Sequence, residues 1–185
     1  MLRYEERYFK DMTLNIKEIQ SLFMCYQMDD KGKWVKGSFG EIPLISLGYW
    51  NIKEKKLRNC EGLCNSKDLE ILIKSGQTKK ELNLTLLHEM IHAYEDELEH
   101  AEGPGKRLKE ILLLFLYKKI GKQIGYKKAD DLLKVITSSF HWYDIHGHSI
   151  LFALKSLELD IRLHLPYGTI FAYGRTDYFP PIKDH

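Results

Sequence analysis

An α+β domain is the fold predicted by the sequence, on three observations. A mostly apolar helical stretch runs from Thr78 to about Glu99 or His100 and carries His88-Glu89-Met90-Ile91-His92. Ahead of it, residues 34–73 break into short β-rich runs separated by turn residues. Behind it, apolar side chains return at helical spacing in three further stretches. With 185 residues and no internal repeat or low-complexity stretch, a single domain over 1–185 is expected.

Taken in chain order, Leu14, Ile16, Ile19, Leu22, Phe23 and Tyr26 have the spacing of an amphipathic first helix over 12–28, closed by Asp29-Asp30-Lys31-Gly32. Ile42 to Trp50 reads as a strand, Asn51 to Lys56 as a turn, Leu57 to Cys60 as a short strand and Leu69 to Ile73 as another. A small antiparallel sheet is the simplest arrangement of these three. Thr78-Lys79-Lys80-Glu81 is a capping box, in which the Thr hydroxyl and Glu carboxylate satisfy free N–H groups at a helix start. Lys106 to Ile120 and Lys128 to Ser138 predict two helices separated by Gly121 to Gly125. A last helix begins near His148 or Ser149 and includes Phe152, Leu154, Leu157 and Leu159. From about 165 to 185 the chain is rich in Tyr, Phe, Pro and Gly and reads as loop with short strand pieces.

Composition is that of an ordinary globular protein, 44% hydrophobic and 29% charged, with a net charge of +2. Charge is unevenly spread. Nine Lys or Arg face three acids between Lys106 and Lys134, directly after an acidic cluster at Glu95, Asp96, Glu97, Glu99 and Glu102. Solvated helix faces are the ordinary explanation of both runs. Three cysteines, an odd number, argue against a disulfide framework. The N-terminal residues lack an apolar signal core, and the longest apolar run, Ile111 to Tyr117, is too short to span a bilayer. A cytoplasmic setting without membrane contact is expected, or a nuclear one in a eukaryote.

The chemistry is carried by residues 88–92. On a helix, His88 and His92 lie one turn apart on the same face, where one metal ion can bind both. Glu89 then lies beside the metal-bound water as a general base. Burying two His and a Glu without partners would cost several kcal/mol, on the order of the usual penalty for unpaired polar groups, and a metal is the simplest compensation. A catalytic zinc needs a third protein ligand and an open position. Glu95 and Leu98 occupy the places where Gly and His would extend the motif, so that extension is absent. Glu110 and Asp96 are weak candidates, and His100 lies too far along the same helix. The remaining source is Asp144-Ile145-His146-Gly147-His148-Ser149, which offers His146 or His148.

Leu86-Leu87-His88-Glu89-Met90-Ile91-His92-Ala93-Tyr94, followed by Gly147-His148-Ser149-Ile150-Leu151-Phe152, resembles the SprT-like (Spartan-type) zinc metallopeptidases. That family joins such a helix to a later Gly-His-Gly-x-x-Phe/Trp sequence. The register favours His148, four residues before Phe152, over His146, which would put Ile150 at the aromatic position. The likeness covers roughly residues 10–160 and implies a zincin-like minimal metalloprotease domain, with His88, His92 and His148 holding Zn²⁺ and Glu89 catalytic.

Three departures stand out. Ser149 replaces the second Gly, and about 55 residues separate His92 from His148, so that residues 103–140 would form a basic helical insertion. The family's C-terminal zinc ribbon is also absent.

The expected activity is a metalloendopeptidase acting on a protein or peptide substrate. An extended substrate would lie along the strand nearest the motif helix, Leu69 to Ile73 or Ile42 to Leu47. The resemblance implies proteins on DNA or crosslinked to it, with the basic insertion and aromatic tail as DNA contacts. The alternatives are a peptidase specific for one regulator or host protein, and a non-catalytic metal-binding module.

Overall fold

The structure is a computed structural model that describes residues 24–25, 42–43, 50–100, 105–138 and 148–174. Five strands and four helices occur among them: β1 (Met24–Cys25), β2 (Ile42–Pro43), β3 (Asn51–Lys55), β4 (Gly62–Asn65), β5 (Glu70–Lys74), α1 (Lys79–His100), α2 (Gly105–Ile124), α3 (Tyr126–Ser138) and α4 (Ile150–Arg162). The chain is therefore mixed α+β, as its pattern of periods predicts. No described helix is long and apolar enough to cross a membrane.

The sheet differs from the expected one. Its order is β3-β5-β4; β4 pairs antiparallel to β5, but β3 pairs parallel to it, with Asn51 opposite Glu70 and Lys55 opposite Lys74. The expected turn over 51–56 is in fact strand β3, and the expected strand over 57–60 is replaced by β4 at 62–65. The reason is physical. All five side chains of β3 are exposed, so this edge strand is held by backbone bonds to β5 and needs no apolar alternation. By contrast β5 is central, and Ile71, Leu72 and Ile73 are all buried, which explains their broken alternation. The helix expected over 12–28 is contradicted at Met24–Cys25, which pair as a strand with Ile42–Pro43. The rest of that stretch, and 44–49, lie outside the described residues.

The start of α1 is the expected capping box: Thr78 N–H donates to Glu81 Oε2 at 2.8 Å, and Glu81 N–H to Thr78 Oγ1 at 3.3 Å. One side of α1 lies against β4 and β5, and its other contacts are with α2 and α4. Helices α2 and α3 also pack on α4. Leu112, Leu116 and Ile120 of α2 and Ala129 and Leu132 of α3 are buried in the same core as Met90, Ile91, Leu151 and Leu157. The described part of the 103–140 segment is thus built into the core, while Lys118, Lys122, Lys127 and Lys134 point to solvent.

Candidate metal centre

Helix α1 places His88 and His92 on one face with ring centroids 5.3 Å apart. His148 immediately precedes the cap of α4 and enters between them. Its Nε2 lies 3.0 Å from His88 Nε2, and its ring stacks on His92 at 4.9 Å. One nitrogen from each of the three falls within 4.8 Å of the others, so the trio can hold a metal ion. On one tetrahedral zinc, nitrogens about 2.0–2.1 Å from the ion stand about 3.3 Å apart, so a small parting of the rings admits it. Phe152 packs against all three rings, at 4.7, 4.6 and 4.3 Å, which explains an aromatic residue four places after His148.

The electrostatics favour the ligand form. Burial, with His92 and His148 close by, pushes His88 well below the ordinary histidine range. Burial alone draws His92 down to about 4. Both are therefore neutral imidazoles, the form that binds metal. His88 Nδ1–H donates to the Ile170 carbonyl at 3.1 Å, which fixes the proton on Nδ1 and leaves the Nε2 lone pair facing the other rings. A proton on His148 Nε2 makes its contact with His88 a hydrogen bond; an ion between the nitrogens makes them a ligand pair.

Glu89 is 2% exposed and turned toward β4 and the segment after α4. Tyr173 Oη–H donates to its Oε1 at 2.9 Å, and the Cys64 backbone N–H also reaches it. Burial pushes its carboxyl up to about 7, against those two hydrogen bonds. The carboxylate lies so close to β4 that a Cβ on Gly62 would be 2.6 Å from Oε1 and 2.7 Å from Thr85 Cγ2. Gly62→Ala is therefore expected to displace Glu89 and destabilise the chain by about 1–3 kcal/mol, as overpacking does. Thermal melting checks the stability, and a zinc titration should show the ligands little changed.

Ser149 accepts hydrogen bonds from Leu151 N–H at 3.0 Å and Phe152 N–H at 3.2 Å and donates to buried Glu95 of α1. One hydroxyl thus caps α4 and ties it to α1, a use that glycine lacks. Ser149→Ala is expected to lose about 1 kcal/mol in a melting experiment, and Ser149→Thr to restore most of it.

The expected residues fare unevenly. His88, His92 and His148 are brought together, with Glu89 beside them. Asp96 is not in the group, and the side chains of His100 and Glu110, together with His146, lie outside the described residues. Central β5 is paired on both sides, so Leu69 to Ile73 cannot receive a substrate strand; β4 is the edge strand nearest α1. Tyr173, the Ile170 carbonyl and Gly62 were not foreseeable as site residues. Phe171 and Tyr173 were visible only as part of an aromatic tail, and they pack on the site: Phe171 lies 5.1 Å from His148, and Tyr173 stacks on His88 at 3.8 Å. Tyr178 and Phe179 lie outside the described residues. No family model, curated protein or solved structure matches the chain, so its likeness to SprT-like peptidases rests on the motif residues.

Proposed function

We propose that this protein is a zinc-dependent metalloendopeptidase of SprT-like, zincin type. The observation that carries the reading is the convergence of three imidazoles together with a buried carboxylate, Glu89, bonded to the Tyr173 that stacks on His88; a purely structural metal site does not need such a group. His88, His92 and His148 would hold the ion and leave a position open to solvent species. The chemistry supplied by bound zinc is acidification of a water toward a pKa of about 7 and polarisation of a carbonyl.

Glu89 takes the proton from the attacking water and returns it to the leaving amine. Desolvation lifts its carboxyl toward the range where it can both take and give a proton, and a nearby cation favours the ionised form that starts the cycle. Tyr173 and the Cys64 N–H hold that carboxylate in one orientation. Among the described residues strand β4 offers an edge along which an extended peptide can lie, and Leu63 within it is exposed. Cleavage of an unfolded protein substrate that stops on chelation and returns with zinc is the expected result. Cleavage indifferent to chelators would sink the reading.

Proteins associated with DNA are the substrate class in keeping with the resemblance and with the exposed lysines of α2 and α3. The expected sign is binding to single-stranded DNA that weakens steeply with salt. Absence of binding at low salt favours instead a peptidase specific for one protein.

A further inference from the structure

Asp160 is a buried acid in the last turns of α4, 0% exposed, and no cation pairs with it among the described residues. Its carboxylate instead accepts backbone N–H groups from one short segment. Gly168 N–H reaches Oδ2 at 2.7 Å and Ile170 N–H reaches Oδ1 at 3.0 Å, while Thr169 N–H turns to the Pro166 carbonyl at 3.2 Å. Acceptor-only oxygens suit this task, whereas an amide side chain would turn an N–H against one of the donors.

The segment so gripped is folded tightly on itself. Ala172 N–H bonds to the Gly168 carbonyl at 3.0 Å, and Gly174 N–H to the Thr169 carbonyl at 2.6 Å. Three of its residues reach the metal centre. The Ile170 carbonyl takes the His88 Nδ1 proton, Phe171 lies against His148, and Tyr173 both stacks on His88 and bonds to Glu89. Asp160 grips Ile170 by its N–H, and the same residue's carbonyl orients His88.

We propose that Asp160 is a positioning residue for the metal centre, acting through residues 168–173 to fix the His88 tautomer and the Glu89 carboxylate. It touches no ligand itself. The inference rests on the metal reading of the three histidines and deepens it: outer partners of metal-bound histidines govern affinity, and here the outermost one is a carboxylate on the helix that also presents His148.

The test compares the unaltered chain with Asp160→Asn and with Leu132→Ala. Leu132 is a buried α3 residue of the core, and α3 packs on α2 and α4. Its truncation opens a cavity and destabilises the fold from a helix that carries neither the three histidines nor Asp160. Three quantities are read: zinc affinity by competition with a chromophoric chelator, melting temperature in excess chelator, and the His88 tautomer from ring ¹⁵N shifts.

The expected result is a His88 proton on Nδ1 in the unaltered chain and a mixed tautomer in Asp160→Asn. Zinc affinity in Asp160→Asn should fall about 10–100-fold, as loss of an outer partner does, with Leu132→Ala unchanged in affinity. Gly168→Ala is a second variant, because Gly168 sits at φ +85, where a side chain strains the turn. It should lower affinity in the same direction, and it decides the matter if Asp160→Asn does not fold.

Unchanged zinc affinity in a folded Asp160→Asn overturns the proposal, as does a loss no greater than that of an equally destabilised Leu132→Ala. Failing those variants, unchanged affinity in Gly168→Ala does the same. Each of these outcomes leaves the metal reading intact. Absence of zinc binding in the unaltered chain overturns the metal reading, and this proposal with it.

Discussion

Glu89→Gln is expected to abolish peptide hydrolysis while leaving the ion in place. Glutamine has the shape of glutamate, and its carbonyl oxygen can still accept from Tyr173 Oη–H, so the carboxamide can occupy the same position. It cannot take a proton from water. Loss of a general base removes about 10²–10⁴-fold of rate, and the upper end is expected where the same group also returns the proton to the amine. Single-turnover cleavage of a labelled protein, beside zinc analysis of the same preparation, separates the two roles. Full activity in Glu89→Gln would remove Glu89 from the mechanism. Loss of both zinc and activity would mean that the carboxylate supports the ligands rather than the reaction. The inactive, zinc-loaded variant would also serve to capture the natural substrate.

The largest loss of stability is expected from Glu158→Ala. This carboxylate is 1% exposed in the middle of the helix that presents His148. Lys119 of α2 reaches Oε1 at 2.6 Å, Lys155 reaches Oε2 at 3.1 Å, and Arg162 Nε reaches Oε1 at 2.8 Å. Burial alone would push Glu158 up, but Lys155, Arg162 and Lys119 outweigh it and bring the carboxyl down to about 2. Lys155 is itself buried and drawn down to about 8 by desolvation, with Glu158 opposing that fall. Removing Glu158 strips the buried ammonium of its counter-charge, a change that costs about 3–5 kcal/mol at comparable sites. In a chain of this size that corresponds to a melting temperature lower by roughly 10 °C.

The pH dependence has a definite sign. The folded pKa of Glu158 lies below that of a free glutamate, so its contribution is complete above about 4.3. It is lost as pH falls through the folded value of about 2. Acid melts of the unaltered chain and of Glu158→Gln should therefore converge below that window. Parallel curves throughout would show that the charge of Glu158 contributes nothing.

Local signals made the three-histidine half of the site readable. The capping box and the apolar repeat specify α1, and a helix of fixed pitch necessarily puts His88, Glu89 and His92 where they are. Gly147-His148 before an apolar helix likewise located α4, and the aromatic at Phe152 selected the register that the ring contacts now explain. The sheet was harder, because β3 carries Asn51, Lys53, Glu54 and Lys55 and draws its stability from backbone pairing that leaves no apolar trace.

The remaining wall of the site was beyond reach for a different reason. The Ile170 carbonyl and Tyr173 meet α1 from more than 80 positions away, through a turn with Gly168 at φ +85 and Tyr173 at φ +53. No periodicity announces such a contact, nor the bonds by which Gly168 and Ile170 of this turn reach buried Asp160.

Metal content is the most direct test of the three-histidine centre. One zinc per chain is expected in the unaltered protein and in His146→Ala, with binding lost or greatly weakened in His88→Ala, His92→Ala and His148→Ala. Undiminished zinc binding in His148→Ala, or none in the unaltered protein, would contradict it.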